Sequence, residues 1–382
     1  MNDTYIVSAV RTPIGKGREG GALADVRPDE LAAQTLVEVV KRAGLVPKDV
    51  EDIVMGCVTQ VGEQGINVGR VAPLLAGFPV EVPAVSVNRM CGSSQQAIHF
   101  VSQAIAAGDI DIGIGAGVES MSRVPIGSDW TAPLHPEFPY DLVPQGISAE
   151  MMAEKWELTR DELDDYSYRS HARAAEATNE CYFSREIMPI EVEKDGDKVT
   201  VTVDEGIRFN PDREKMAQLD PVFKLGGVVT AGNSSQISDG AAAVLVASEK
   251  ALKEYDLTPR ARIVARVVVG VDPVLMLSGP IPATHKVLEK AGMTLDDIDL
   301  FEVNEAFASV VLAWAKELQP DMDKVNVNGG AIALGHPLGA SGARLMVTLL
   351  HELERHGGRY GLQTMCIGHG MATATIIERV EN

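Results

Sequence analysis

Residues 41–55 read KRAGLVPKDVEDIVM, and residues 289–303 read EKAGMTLDDIDLFEV. Each stretch has the pattern of a helix end, a glycine-containing turn, an acidic turn and then a strand. Two shorter pairs follow in the same order: VSVN at 85–88 with VNVN at 325–328, and GIGAG at 113–117 with CIGHG at 366–370. A single pair could arise by chance, but a shared order of pairs indicates an internal duplication.

The duplication divides the chain into three parts. We predict two homologous halves, residues 1–118 and 246–382, in which strands alternate with helices. This alternation is typical of the α/β class, with mostly parallel sheets that are covered by helices.

The residues between the halves, 119–245, have a different character. They include a proline-rich stretch, SDWTAPLHPEFPYDLVPQG, and then a charged helical run. The segment IEVEKDGDKVTVTV has the pattern of a β-hairpin with Asp195-Gly196 at its turn. We predict an inserted loop domain that folds over the core and supplies a substrate wall or a subunit contact.

The composition excludes several classes of protein. The 382 residues include 54 acidic and 34 basic ones, and the net charge of −20 argues against a nucleic-acid partner and gives no support for docking on an anionic membrane. The N-terminus lacks the apolar core of a signal peptide, and no window is long and apolar enough for a transmembrane helix. Metal-binding spacing is absent among the cysteines, so we predict no metal site and free thiols in a reducing compartment at Cys57, Cys91, Cys181 and Cys366.

Cys91 lies in the stretch VNRMCGSSQ (87–95), between an apolar, β-branched segment and a segment of helical periodicity that ends at Gly108. The thiol is therefore expected at a strand-to-helix turn. Backbone N–H groups and the helix dipole at such a turn favour the thiolate, which is a good nucleophile toward an acyl carbon. For a lone cysteine, a small buried side chain at the end of a strand is the commoner alternative.

The second half carries further polar residues at the ends of predicted elements. His336 lies in a glycine-rich loop between a predicted strand (325–327) and a helix predicted to begin near Ser341. The loop lacks the GK[ST] of a P-loop, so His336 is either a structural residue or a general base. Asn304 follows a strand and has the pattern of a helix N-cap, and Cys366 directly precedes a glycine-rich turn.

Taken together, these motifs resemble those of the thiolases. The resemblance extends over essentially the whole chain: VRTPIGK, NRMCGSSQQAI, GVESMS, TAGNSSQISDGAAA, NEAFA, NVNGGAIALGHPLGASGAR and CIGHG. It implies a thiolase-like fold, in which the two halves form a layered α-β-α-β-α core. It also implies reversible, CoA-dependent cleavage of 3-ketoacyl-CoA to acetyl-CoA and a shortened acyl-CoA, or the Claisen condensation of two acetyl-CoA molecules.

The resemblance implies a role for each residue of the predicted site. Cys91 matches the nucleophile that carries the acyl group, and His336 matches the base that takes the thiol proton. Cys366 matches the acid/base that exchanges a proton with the α-carbon of acetyl-CoA. Asn304 matches the residue that holds a water, which with His336 forms an oxyanion hole for the enolate. The backbone N–H groups of Cys91 and Gly368 match a second oxyanion hole for the tetrahedral intermediate.

The resemblance also predicts what the protein binds. Ser235 matches a serine near the pantetheine arm of coenzyme A, and Arg208 matches a basic residue near its adenine nucleotide. A solvated surface charge is an equal alternative for Arg208. Coenzyme A and acetyl-CoA are then substrates, and no tightly bound cofactor is expected. We further expect a cytoplasmic homodimer or homotetramer with a place in fatty acid β-oxidation.

Two departures from the family pattern bear on the substrate. The C-terminal turn reads CIGHG where CIGGG is more common, so His369 brings an imidazole to this turn, where it either points outward or alters the proton chemistry of Cys366. Pro144-Gln145 replaces the His-Met pair of the acetoacetyl-specific enzymes. We therefore expect cleavage of 3-ketoacyl-CoAs longer than four carbons, including bulky ones such as steroid side chains, with acetoacetyl-CoA also accepted.

Three other functions fit parts of the pattern. A ketoacyl synthase-like condensing enzyme shares the duplicated fold and the Cys nucleophile, but uses two histidines and lacks the second Cys. A non-catalytic protein that binds acyl-CoA or lipid would have no need of Cys91, Asn304, His336 and Cys366 together. A cysteine hydrolase would have no need of Cys366, and no local hydrolase signature is present.

Overall fold

The computed structural model of the protein describes residues 2–194 and 196–381. The strands are β1 (Thr4–Arg11), β2 (Gly15–Lys16), β3 (Asp52–Gly56), β4 (Ala84–Val87), β5 (Ile112–Ser120), β6 (Ile190–Lys194), β7 (Asp197–Val201), β8 (Ser238–Ser248), β9 (Ala261–Gly270), β10 (Leu300–Val303), β11 (Tyr360–Ile367) and β12 (Met371–Arg379). The α-helices are α1 (Pro28–Arg42), α2 (Val68–Leu75), α3 (Ser93–Ala107), α4 (Gln145–Lys155), α5 (Arg160–Asn179), α6 (Arg213–Ala217), α7 (Glu249–Glu254), α8 (Pro280–Ala291), α9 (Ala308–Leu318), α10 (Ala331–Leu334) and α11 (Leu338–His356).

The strands of the two halves join in one sheet. Its order is β10-β11-β12-β9-β1-β8-β5-β3-β4, with β2 beside β8. The run β1-β8-β5-β3 in the first half has the same order and directions as the run β9-β12-β11-β10 in the second. The halves meet where Tyr5 and Ile6 pair with Arg262 and Ala261. This repeated strand order confirms the duplication that the sequence predicts.

The prediction of mostly parallel sheets is wrong, although the α/β class is confirmed. Among the described strands, the parallel pairs are β3–β4, β3–β5 and β10–β11. The antiparallel pairs are β1–β8, β1–β9, β2–β8, β5–β8, β6–β7, β9–β12 and β11–β12. One reason is local: only Gly368, His369 and Gly370 connect β11 to β12, too few residues for the crossover that a parallel pair requires.

The helices and the two halves of the sheet form the five layers that the family resemblance implies: three layers of helices alternate with two layers of strands. Helices α3 and α11 pack against each other in the middle, and α11 contacts β5 and β8 of the first half as well as β10 and β11 of the second. Helices α1 and α8 lie on the outer sides of the two halves. Because α11 lies between two layers of strands, every residue from Leu338 to Leu353 is buried, which an ordinary amphipathic surface helix would not show.

The segment between β5 and β8 carries the hairpin β6–β7 and helices α4 to α6. The paired strands confirm the predicted hairpin, whose turn residue Asp195 lies outside the described residues. The predicted boundary at 245 cuts through β8, which pairs with β1 and β5 of the first half along its length. The structure therefore continues the first half to Ser248, and the division into three parts stays a prediction.

The ends of helices and strands match the sequence predictions in the first half and differ from them in the second. Helix α3 ends at Gly108 as predicted, in the left-handed conformation with φ 88°. In place of the strand predicted at 325–327, Val325 makes a single bridge to Phe301. Asn304 is no helix N-cap, because α9 begins at Ala308 with Phe307 as its N-cap; the Asn304 N–H instead bonds to the Thr364 carbonyl at 3.0 Å and continues the β10–β11 pairing.

Two further expectations are corrected. Helix α11 begins at Leu338, one turn before the start expected near Ser341. The GIGAG stretch lies wholly within β5, whereas CIGHG runs from the end of β11 into the turn, so this pair of stretches is not structurally equivalent. Among the described residues, no helix combines the length and apolar character that crossing a membrane requires.

Candidate active site

Cys91 lies in the turn between β4 and α3, where the sequence predicts it, and it is buried. The turn is held by side chains of its own residues: Asn88 Oδ1 accepts from the Met90 N–H at 2.8 Å, and the Ser93 hydroxyl donates to the Met90 carbonyl at 2.6 Å. Met90 adopts the left-handed conformation with φ 45°. These bonds fix the thiol just before the N-terminus of the helix.

The turn between β11 and β12 faces this thiol. The N–H groups of Gly368 and Cys91 and the side chain of Gln145 favour the thiolate form of the sulfur and act to lower its pKa. Burial nevertheless outweighs these donors and raises the pKa of Cys91 to about 11. The local N–H groups favour the thiolate, as the sequence predicts, but the loss of water around the sulfur has the larger effect.

Cys366, the second thiol of the predicted site, is buried near the end of β11 and pairs with Ala372 of β12. Its pKa is raised well above the ordinary value by burial and, next, by the charge of Cys91. The two thiols are thus close enough to influence each other, although they lie in different halves of the chain. Both stay protonated in the resting protein at neutral pH.

His336 is buried in the loop before α11 and is oriented by Ser341. The Ser341 hydroxyl donates to the Pro337 carbonyl at 2.8 Å, so it can only accept from His336 Nδ1, which lies 2.5 Å away. Nδ1 therefore carries the proton, and Nε2 is left free to accept one. Burial and, secondarily, Arg344 lower the pKa of His336 to about 3, which keeps the imidazole neutral.

Asn304 lies against this free nitrogen. Its Nδ2 is 3.4 Å from His336 Nε2, and both side chains are buried. Its Oδ1 has no hydrogen-bond partner among the described residues. A buried amide oxygen without a partner is unusual in a native fold and marks a place where a water or a substrate group can donate a hydrogen bond.

A cavity of about 520 Å³ lies beside the Cys91 thiol. On the catalytic side it is lined by Met90, Cys91, Gln145, Gly368 and His369. Its apolar wall includes Ile126, Trp130, Leu134, Leu142 and Met276. The wall comes largely from the proline-rich part of the insertion, and the role of the insertion as a substrate wall stays a prediction.

These features can be compared with those of known proteins. The family models described as "Thiolase, N-terminal domain" and "Thiolase, C-terminal domain" match residues 4–250 and 257–379. The chain belongs to the thiolase family. Family membership makes it an acyltransferase, and it confirms the family and the fold that the sequence motifs indicate.

Individual relatives match over nearly their whole length. The steroid 3-ketoacyl-CoA thiolase FadA6 of Mycobacterium tuberculosis is 49% identical, over 100% of this chain and 95% of the relative. A 3-ketoacyl-CoA thiolase of Vibrio cholerae is 48% identical, over 99% of this chain and 100% of the relative. Among solved structures, the Bacillus anthracis acetyl-CoA acetyltransferase has a TM-score of 0.93 at 41% identity, over 100% of this chain and 99% of the other.

The thiolase fold brings some of the predicted site residues together and leaves others apart. Cys91 and Gly368 line one end of the cavity, the charge of Cys91 acts on the buried Cys366, and His336 lies against Asn304. Arg208 is exposed and lines a separate cavity of about 350 Å³ that also includes His171, Lys215 and Gly232. Ser235 is half-buried, and its N–H bonds to the Ala306 carbonyl at 2.9 Å beside the Asn304 strand end.

Two residues of the thiolase site were missed as site residues. Gln145 begins α4 and lines the cavity together with Cys91, where its side chain favours the thiolate, and no local sequence pattern predicts this proximity. Ser341 orients His336 from the first turn of α11. A serine in the first turn of the helix that follows a loop histidine is a signal that sequence reasoning could have used.

Proposed function

We propose that the protein cleaves 3-ketoacyl-CoA with coenzyme A, reversibly, through an acyl group carried on Cys91. The single observation that carries the proposal is the buried Cys91 thiol beside an apolar cavity, with a second buried thiol, Cys366, near enough to be affected by its charge. A hydrolase needs one thiol only, and a ketoacyl synthase-like enzyme would place a second histidine where Cys366 lies.

His336 Nε2 is the acceptor of the Cys91 proton. The pKa of the thiol is raised and that of the imidazole is lowered, so a thiolate–imidazolium pair is disfavoured before substrate arrives. Proton transfer therefore accompanies the attack of sulfur on the 3-keto carbon. The bond between C2 and C3 then breaks, the acyl group stays on Cys91, and the released acetyl-CoA enolate takes a proton from the Cys366 thiol.

Charge that develops on oxygen meets two sets of donors. The N–H groups of Gly368 and Cys91 favour negative charge on the reacting sulfur, and they are proposed to donate to the oxyanion of the tetrahedral intermediate. Protonated His336 Nε2, together with a water held by the unpartnered Asn304 Oδ1, serves the enolate oxygen. Before the second half-reaction, the proton on His336 passes to the Cys366 thiolate, which restores the neutral imidazole and the Cys366 thiol. His336 then takes the proton of the coenzyme A thiol as that sulfur attacks the acyl-Cys91 thioester, and it gives this proton to the departing Cys91 sulfur, which regenerates the free thiol.

Coenzyme A is a substrate in this scheme, not a resident cofactor. Ser235, next to the Asn304 strand end, is proposed to contact the pantetheine arm. Arg208 is proposed to contact the nucleotide, which carries phosphates, and the neighbouring Lys215 adds positive charge to the same cavity. The cytoplasmic location, the homodimeric or homotetrameric state and the place in fatty acid β-oxidation stay predictions.

The acyl group is proposed to be longer than that of acetoacetyl-CoA. The cavity of about 520 Å³ falls in the range of sites that bury drug-sized ligands. An apolar pocket discriminates one methylene by only about 1–3 kcal/mol, so a pocket of this size should accept several chain lengths. Thiolysis of 3-ketooctanoyl-CoA should therefore be comparable to that of acetoacetyl-CoA. A kcat/KM about 100-fold higher for the four-carbon substrate would reject the proposed chain length.

Incubation with acetyl-CoA tests the covalent step. One acetyl group should appear in the peptide that contains Cys91, as read by mass spectrometry after digestion. Cys57 is a matched control within the protein, since it is also a buried free thiol with a raised pKa, but it is absent from the cavity lining. Acetylation of another cysteine with Cys91 unmodified would refute the assignment, and acyl-CoA binding without any acetylation would favour a non-catalytic binding protein.

A further inference from the structure

His369 occupies a backbone position that does not suit it. It lies between Gly368 and Gly370 in the turn from β11 to β12, with φ 62°. In this left-handed region a side chain is strained and a glycine is not, although histidine is among the residues that enter it more often than most. The turn itself thus gains nothing from the imidazole, and a contact made by the side chain must account for it.

That contact is with Trp130. The two ring centroids are 6.4 Å apart and the planes are perpendicular, which is a favourable edge-to-face arrangement. Trp130 belongs to the part of the insertion between β5 and α4, and 59% of its surface is exposed. Both rings line the cavity beside Cys91. The pair is therefore a direct link between the catalytic turn and the segment that walls the acyl cavity.

We propose that His369 and Trp130 are specificity-determining residues, which together form a wall that favours wide, ring-bearing apolar acyl groups. This inference rests on the proposed thiolase function and names the substrate class for the same cavity. The neighbouring wall residues Ile126, Leu134 and Leu142 are apolar, so the acyl group that contacts this wall is apolar as well.

Ring systems suit this wall for two reasons. A flat or alicyclic ring can pack on aromatic side chains over a large area, and a rigid group loses less conformational freedom on binding than a linear chain. Acetoacetyl-CoA, by contrast, transfers only an acetyl group to Cys91, which leaves a single methyl group to occupy the cavity. The pair should therefore affect ring-bearing substrates much more strongly than acetoacetyl-CoA.

The test compares two substrates that transfer acyl groups of equal carbon number. Thiolysis of 3-cyclohexyl-3-oxopropanoyl-CoA transfers a cyclohexanecarbonyl group, and thiolysis of 3-oxononanoyl-CoA transfers a linear heptanoyl group. Acetoacetyl-CoA is the third substrate. The variants of the full chain are His369→Gly, which relieves the backbone strain, Trp130→Ala, and the double variant. Phe138→Ala is the matched control, because Phe138 is an exposed aromatic residue of the same segment that pairs with Tyr140 and is absent from the cavity lining.

Each single variant should lower kcat/KM for the cyclohexyl substrate about 10-fold, with a smaller loss for the linear one. The double variant should lose no more than the poorer single variant, because the two residues act through one contact. Phe138→Ala should stay at the wild-type values on all three substrates, and the losses of the His369 and Trp130 variants should be smallest for acetoacetyl-CoA. Equal losses on all three substrates, additive losses or unchanged ratios would overturn the proposal.

Two further results keep the outcome interpretable. If Trp130→Ala or the double variant does not fold, His369→Asn decides the question, since asparagine also tolerates the left-handed conformation but has no ring. It should lose the cyclohexyl preference as His369→Gly does, and retention of that preference would overturn the proposal. Absence of thiolysis by the wild-type protein on every substrate would overturn the proposed function itself, whereas wild-type thiolysis with unaltered variants would overturn only the role of the pair.

Discussion

The two halves of the chain follow one strand order but connect the equivalent strands differently. In the first half, the connection from β5 to β8 is the long insertion, residues 121–237. In the second half, the connection from β11 to β12 is the short turn Gly368–Gly370. The same place in the duplicated fold thus holds a long, cavity-lining segment in one half and a short turn beside the cavity in the other, and the two meet where Trp130 contacts His369.

The reacting groups can be compared in the same way at the two central helices, α3 and α11. Cys91 is the second residue before α3, and His336 is the second residue before α11. Duplication therefore places the proposed nucleophile and the proposed base at equivalent positions. Burial acts on both, yet it raises the pKa of the thiol and lowers that of the imidazole, because each shift favours the neutral form.

The largest loss of activity should follow from substitutions at these two equivalent positions. Cys91→Ser should lower kcat at least about 1000-fold, because a serine hydroxyl is a far weaker nucleophile than a thiol next to a base. His336→Ala should have a comparable effect, and the double variant should be little worse than either single one, since the two act as a unit. Steady-state thiolysis measures all three. Independent, multiplicative losses would show that the two positions do not cooperate.

A smaller and more selective effect is expected from Cys366→Ala. The variant should still be acetylated at Cys91, because the second thiol takes no part in that step. It should exchange the α-protons of acetyl-CoA with solvent deuterium about 100- to 10,000-fold more slowly, the usual contribution of a positioned acid/base. Proton NMR in deuterium oxide follows the exchange. Exchange at the wild-type rate would assign this proton transfer to another group, with His369 as the first candidate.

Two buried carboxylates differ between the halves, and the smallest expected effect, on stability, concerns one of them. In the first half, Glu119 accepts from the N–H groups of Val58, Thr59 and Gly339. In the second half, Glu302 Oε2 has no hydrogen-bond partner among the described residues, and its nearest cation is Arg344 at 3.6 Å. Burial accordingly raises the pKa of Glu302 to about 8, only partly offset by Arg344.

This raised pKa predicts a pH-dependent stability. The folded protein keeps the Glu302 proton where the unfolded chain has released it, so the free energy of unfolding should fall as pH rises from about 4.5 to about 8. Glu302→Gln removes this titration. The stability of the variant relative to wild type should therefore rise over that range, by at most about 1.4 kcal/mol per pH unit. Denaturant unfolding at several pH values measures the difference, and parallel curves for the two proteins would contradict the prediction.

The sequence by itself determined what depends on residues close together in the chain. The helix end at Gly108, the strand-to-helix turn at Cys91 and the hairpin after Ile190 follow from local patterns and were predicted with their places. The duplication was also readable, because a repeated order of short motifs needs no knowledge of contacts. The motif resemblance then supplied the family, the fold and the expected roles of the site residues.

The tertiary structure alone decided what depends on residues far apart in the chain. The direction of a strand relative to its neighbour depends on which strands pair in the fold. The alternation of strands and helices in the sequence therefore predicted more parallel pairs than the structure has. The protonation of Cys91 depends on how much water the other half of the chain removes, and that burial outweighs the local helix N-terminus. Gln145 at the thiol and Trp130 at His369 are contacts between separate segments, and local sequence patterns carry no information about which segments pack together.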